Sequence, residues 1–421
     1  MSEAVVPRRG ILMATLFAAQ VCGSTGHSMG MAVGGIMAAA ITGSHAWVGV
    51  PVGVGALGAA LASWPLSRLM GRFGRRLGLA IGYGLAVLGA ALGMAGVLTR
   101  SFTVFLVGMA LFGLASTSNL LARYAAADIT PGRHRGRAMG LIVWGSTLGS
   151  IIGPNLMGAA ARVGARLGLS PVASAFLISV AGYGLAAILV ELLLRPDPLA
   201  IARRLEAPAR LDRAAARVRT LVEILDEPRA RIAFGALMAS QLVMIGTTST
   251  SPVHLHDNGA GVKTIGLAVA MHLGGMYVAS PLSGWLSDRF GRVPTIAAGG
   301  VVLLLAVAVA GLPPGTEAGL VMLGLALNGV GWNLAFVAGS ALLTDALSTE
   351  ERTSIQGLAD LVMGLMGAAG SAAGGMVLGA WGFGPLNALG AAVIVVGLVG
   401  LWLQRPRRLS LVMPLRGEGE P

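Results

Sequence analysis

Long apolar runs alternate along the chain with short polar turns rich in arginine and glycine. At roughly 20 apolar residues per bilayer crossing, the pattern predicts twelve spans in two groups of six. The first group covers residues 11–41, 47–69, 77–98, 102–126, 138–161 and 171–194; the second covers 231–255, 264–286, 294–313, 317–343, 354–380 and 384–403. Ten-residue alternation of the barrel-strand kind is absent from the pattern. The expected fold is therefore all-α and integral to the membrane, with two pseudo-symmetric six-helix bundles at 1–194 and 231–404. A charged linker, 195–230, separates them, and 405–421 is expected to be a cytoplasmic tail. Within the linker, Leu211 to Leu225 mixes apolar residues and arginines in a rough helical pattern, which fits either a helix on an anionic leaflet or a solvated tether.

The two groups are related by a constant offset. Residues 284–292 read GWLSDRFGR and residues 67–76 read SRLMGRFGRR, so that Arg289, Phe290, Gly291 and Arg292 follow Arg72, Phe73, Gly74 and Arg75 by 217 residues. The same offset carries Asp128, Arg135 and Gly140 onto Asp345, Arg352 and Gly357. Three landmarks at one spacing indicate a duplication. Two such halves facing each other across a cavity have the geometry of alternating access.

Composition narrows the class. A chain of 421 residues that is 55% hydrophobic and 11% charged lies outside the soluble range, and its 64 glycines suit close helix contacts in lipid. The net charge of +12 raises the question of nucleic acid, but the arginines sit in turns between spans. All 30 Lys and Arg residues except Arg100, Arg123, Arg162, Arg166 and Lys263 fall on one side of the membrane, which predicts that both termini are cytoplasmic. The first span is too long for a signal-peptide core, so no cleavage is expected. Cys22 is the only cysteine, which excludes an intramolecular disulfide. No nucleotide-binding loop, nucleophile elbow or His-Glu-x-x-His helix is present, and no enzyme is expected. A membrane sensor would have only the 195–230 linker to signal through.

The Asp-Arg-Phe-Gly-Arg turn at 288–292, with the duplication, resembles the loop motif of the major facilitator superfamily, and the resemblance covers essentially the whole chain. It implies a monomeric secondary transporter in the bacterial inner membrane, with a small-molecule or metal-ion substrate and spans 1, 4, 7 and 10 lining the pathway. It also implies that Asp288, with Arg289, Gly291 and Arg292, latches onto the start of a neighbouring helix, expected to be the eleventh. The first-half copy has Ser67 where the motif has glycine and Gly71 where it has the carboxylate. In span 5, Gly140, Gly149, Gly153, Pro154 and Gly158 are similar to the helix-5 motif of drug/proton antiporters: a small-residue groove and a proline kink that seal against span 8. That implies proton-linked efflux of amphipathic organic compounds, the proton being the only cofactor-like species expected. Span 4, however, has Met109 and Phe112 where such antiporters carry arginine and glutamine.

A further resemblance runs from span 7 into span 8, to a bacterial branch that includes a copper importer. Its His-x-x-x-Met pair is matched by His272 and Met276; its Met-x-x-x-Met pair is half matched, by Met244 and Thr248. His27 and Met31 stand 217 residues before the latter two. Residues four apart share a helix face, so thioethers and imidazoles there fit a soft cation such as Cu(I), and copper uptake is the alternative function.

Other candidates come from the residues themselves. Histidines at membrane depth need a partner or a wet cavity, so His27 and His272 are expected to line the cavity or, alternatively, to hydrogen-bond a neighbouring carbonyl. Gln241, Met244, Thr248 and Ser251 form a polar stripe on span 7; Asn328 and Trp332 share a face of span 10, as do Ser116, Asn119 and Arg123 of span 4. Asp360 is the only carboxylate clearly inside a second-half span, about 9 Å from its start. It is expected to pair with an arginine of the loop between spans 2 and 3, in place of the acid that Gly71 lacks, or to carry a coupling proton.

Overall fold

The computed structural model describes residues 8–43, 47, 49–170, 173–211, 219–311 and 318–403. No strand occurs among them. The first half contains α1 (Arg9–Thr42), α2 (Val50–Phe73), α3 (Arg75–Leu98), α4 (Phe102–Asp128), α5 (Arg135–Asn155), α6 (Met157–Arg166) and α7 (Ala175–Leu193). The linker carries α8 (Pro198–Leu211) and α9 (Leu221–Asp226). The second half contains α10 (Pro228–Asp257), α11 (Val262–Tyr277), α12 (Ser280–Phe290), α13 (Arg292–Gly311), α14 (Ala318–Ala346), α15 (Thr349–Trp381) and α16 (Phe383–Leu403).

Among the described residues, ten helical stretches are long and apolar enough to cross a membrane, α11 and α12 counting as one. Two more helices, α1 and α5, pack among them and occupy the first and fifth places of the six-plus-six order. Two expected spans are broken, and proline explains both. Pro154 lacks the amide that the ladder needs, so the fifth span divides at Leu156. Pro281 opens α12 in its first turn, and the eighth span divides just before it.

The duplicated turns are alike in detail. Gly74 and Gly291 have φ of 99° and 100° with ψ of 162° and 158°, a region open to glycine alone, and this lets each chain reverse directly from one helix into the next. The linker is docked rather than free. Asp197 accepts the Arg75 and Arg76 amides at 3.2 and 2.8 Å, capping the start of α3. Arg219 donates to Glu351 at 2.8 and 2.9 Å and to Glu227 at 3.0 Å; these hydrogen bonds, the one to Glu351 foremost, raise its pKa further above the ordinary arginine range. Of the stretch Leu211 to Leu225, which fits either a surface helix or a solvated tether, α8 ends at Leu211 and α9 begins at Leu221; residues 212–218 lie outside the described residues, as does the tail from 405.

The halves meet along two seams, α2 with α15 and α5 with α12. Both seams lie toward the arginine-rich end. There Ser67 Oγ donates to the Thr353 carbonyl, and Gly136 and Gly284 leave no room for a side chain between the backbones of α5 and α12.

Candidate functional site

Between the halves lies a cavity of about 660 Å³. Its first-half wall is polar, because α1, α4 and α5 present small hydrogen-bonding residues one or two turns apart. Gln20 donates to Ser146 at 2.8 Å, Asn119 donates to Ser24 at 3.2 Å, and Tyr83 fixes Asn119 by donating to its Oδ1 at 2.7 Å. The second-half wall is apolar and aromatic: Val269, Leu273 and Tyr277, then Trp332 and Phe336, whose rings stack at 4.5 Å and 13°. Trp332 donates its indole N–H to Gln241 at 2.7 Å, which locks the ring in place.

Arg123 forms the cavity floor, and its charge is matched. It pairs with Asp360 at 2.6 Å, with neither side chain exposed, and donates to Ser340 at 3.1 Å and to the Tyr124 hydroxyl at 2.9 Å. The guanidinium lies over the Tyr124 and Phe336 rings at 4.1 and 4.4 Å. Since α4 belongs to one half and α15 to the other, this pair ties the halves together. The expected partner of Asp360 is thus corrected. The arginine of the loop between spans 2 and 3 that points inward, Arg75, is taken by Asp128 at 2.8 Å and Gln356 at 2.7 Å instead.

Below the floor, the duplication becomes a charge cluster with pseudo-twofold order. Arg75 pairs with Asp128 in the first half as Arg292 pairs with Asp345 in the second, at 2.8 and 3.1 Å. Each aspartate also faces an arginine of the opposite half: Asp345 meets Arg135 at 2.7 Å, and Asp128 meets Arg352 at 3.9 Å. Asp288 accepts the Gly136 and Arg137 amides at 2.9 and 2.8 Å and also bonds Arg292. Its partner is therefore the start of α5, not the eleventh span, where the unpaired amides and the positive end of the helix dipole favour a carboxylate. Arg289 is exposed and takes no part. At the related place in the first half, Gly71 abuts the Thr353 side chain, which leaves no space for an acid.

The remaining candidates divide between cavity and core. His27, Asn119, Pro154 and Trp332 line the cavity. His272 does not: it is 2% exposed, its Nδ1 lies 3.0 Å from the Leu325 carbonyl and its Nε2 lies 3.3 Å from Thr248 Oγ. Both ring nitrogens lie within hydrogen-bonding reach of a partner, so the imidazole bridges α10, α11 and α14. Met244 and Met276 are buried in the main apolar cluster, and the Met31 side chain lies outside the described residues. Asn328 is fully buried with neither amide atom partnered among the described residues. In the helix-5 motif, Gly140 abuts the Ser280 backbone across the seam, while Gly149 and Gly153 admit Ser24, Thr25 and Ser28 of α1; Gly158 has no close neighbour beyond Arg162. Gln20, Ser146, Ser150 and Asp197 were missed from the sequence. The first three are signalled only by polar residues repeating every fourth position in spans 1 and 5.

A cavity between two repeat-related helical halves, with a charge cluster joining them at one end, fits the working part of a secondary transporter. Comparison with known proteins places it: the chain matches the Major Facilitator Superfamily over residues 16–258 and 232–414 and belongs to that family. It is a multi-pass membrane transporter of small solutes, not an enzyme. It is 33% identical to an uncharacterized transporter of this family from Bacillus subtilis, over 91% of this chain and 90% of that one. It is 30% identical to a riboflavin transporter of Brucella anthropi, over 96% of this chain and 98% of that one. In fold it resembles the human organic anion transporter MFSD10, with a TM-score of 0.72 and 15% identity, covering 94% of this chain and all of the other.

Proposed function

We propose that the protein carries a small, uncharged organic solute with a planar ring system across the bacterial plasma membrane, by alternating access and with its arginine-rich end in the cytoplasm. The observation that carries this reading is the division of the cavity. One wall offers hydroxyls and amides, the other offers the Trp332–Phe336 stack, and the one arginine among the described lining residues, Arg123, is already neutralised by Asp360. A charged solute would meet no free counter-ion there and would forfeit much of its hydration. A ring-bearing neutral solute loses little on the aromatic side and gains hydrogen bonds on the other. The riboflavin transporter among its relatives fits this chemistry, since a flavin joins a planar ring to a hydroxylated chain. Asp360 Oδ2 has no partner among the described residues, and we assign to this carboxylate the proton that links transport to a pH gradient.

Titration of purified protein with riboflavin, followed by quenching of the flavin's own fluorescence, tests the solute class. Saturable binding is expected, weakened about tenfold or more in Trp332→Ala, because aromatic stacking and its buried area contribute roughly 1–3 kcal/mol. Saturable binding of Cu(I) or of a lipophilic cation, with none of riboflavin or other neutral heteroaromatics, overturns the reading.

A further inference from the structure

A second pocket, of about 480 Å³, lies at the arginine-rich end between the starts of α1 and α5, well away from the central cavity. Two cations and an imidazole from two separate segments surround it: Arg9, which begins α1, His134, which precedes α5, and Arg137 in the first turn of α5. Neither Arg9 nor His134 has a side-chain hydrogen bond or ion pair among the described residues. Arg137 reaches only to 3.9 Å from Asp288, a carboxylate already occupied by two amides and Arg292. The rest of the lining is aliphatic, chiefly Met13 and Leu141. Leu141, one turn beyond Arg137 on α5, is 37% exposed, and Ile11, two residues beyond Arg9 on α1 and outside the lining, is 56% exposed.

We propose that this pocket binds the phosphodiester of an anionic phospholipid. The cations sit where the helices begin, at the level of headgroups. The exposed aliphatic residues beside them continue along the helices as an acyl chain would. A free phosphate shares the headgroup's charge but makes no use of that aliphatic flank, so the lipid is the better fit. The bound headgroup bridges α1 and α5 next to the amides that hold Asp288, and so braces the closed end from the lipid side.

Native mass spectrometry of the full-length transporter, extracted from membranes containing equal phosphatidylglycerol and phosphatidylcholine, tests this. The wild type is expected to retain phosphatidylglycerol preferentially. R9Q/R137Q is expected to lose that preference on the order of thirtyfold, at roughly fivefold per arginine near a headgroup. R204Q/R229Q, which removes an equal charge at two exposed sites outside the pocket, serves as control and is expected to retain the lipid. Equal retention of both lipids by the wild type overturns the proposal, as does equal loss in R204Q/R229Q. Displacement of phosphatidylglycerol by millimolar inorganic phosphate also overturns it, because that assigns the pocket to a free anion. Riboflavin binding is read separately on the same samples, so failure here is distinct from failure of the solute assignment.

Discussion

Arg123→Met is expected to leave little folded transporter, whereas R123M/D360L is expected to fold and yet not to transport. The single substitution strands the Asp360 carboxylate in a site with no exposed surface. Removing one partner of a buried ion pair costs about 3–5 kcal/mol, while replacing both with apolar groups is often neutral. The measurement is the monodisperse yield and thermal stability of detergent-solubilised protein, followed by uptake in proteoliposomes. Transport fails in the double variant for a different reason. Because α4 and α15 belong to opposite halves, the floor must part each time the arginine-rich end opens, and a separation that desolvated charges resist becomes the controllable step of the cycle. On the proposed proton linkage, neutralisation of Asp360 lowers that resistance; a leucine cannot be neutralised. A stable Arg123→Met protein, or a double variant with wild-type dependence on the pH gradient, contradicts this role.

The second large effect is expected at the latch. Asp288→Asn keeps the shape of the side chain but removes its charge and one of its two strong acceptors. Hydrogen bonds to charged groups contribute about 1.5–3 kcal/mol each, so the closed form of the arginine-rich end should lose roughly ten- to a hundredfold of its population relative to the open form. Solute contacts lie in the cavity, beyond the floor, and are untouched. Turnover in proteoliposomes should therefore fall far more than flavin affinity measured from the closed side, once affinity is corrected for the smaller competent fraction. Equal loss of intrinsic binding and turnover would place Asp288 among solute ligands and contradict the geometry.

The alternation of apolar runs and basic turns made the helices legible, because each run is a local fact about one crossing. The constant offset made the duplication legible for the same reason. What joins the halves was read less well. Asp288 was expected at the eleventh span, yet the repeat itself holds the answer: Gly71 faces Thr353, and the places 217 residues from each are Asp288 and Gly136. The symmetric reading sends the second-half acid to α5. The partner of Asp360 was hidden because Arg123 and Arg75 both point inward from the same half, and only packing decides which one reaches α15. For His272 the sequence leaves two readings, a cavity-lining ring or one bonded to a neighbouring carbonyl, and the structure shows the second. The Leu325 carbonyl comes from a helix 53 positions away, and no spacing in the sequence identifies it. Asp197 stands in a linker whose composition suggests a tether, although two amides of α3 hold it.

On the proposed mechanism, solute crosses as the charge cluster parts at one end and the other end closes. Spin labels at Phe73 and Phe290, exposed repeat-related positions on opposite halves at the arginine-rich end, report one distance; labels at Leu167 and Trp381, exposed at the far end, report the other. Both pairs are placed in a Cys22→Ala background, since Cys22 is the only native thiol. Pulsed dipolar measurements in lipid nanodiscs, with and without riboflavin and at two pH values, should show the first distance lengthening as the second shortens. Distances that stay fixed under every condition, or that lengthen together, would contradict the account.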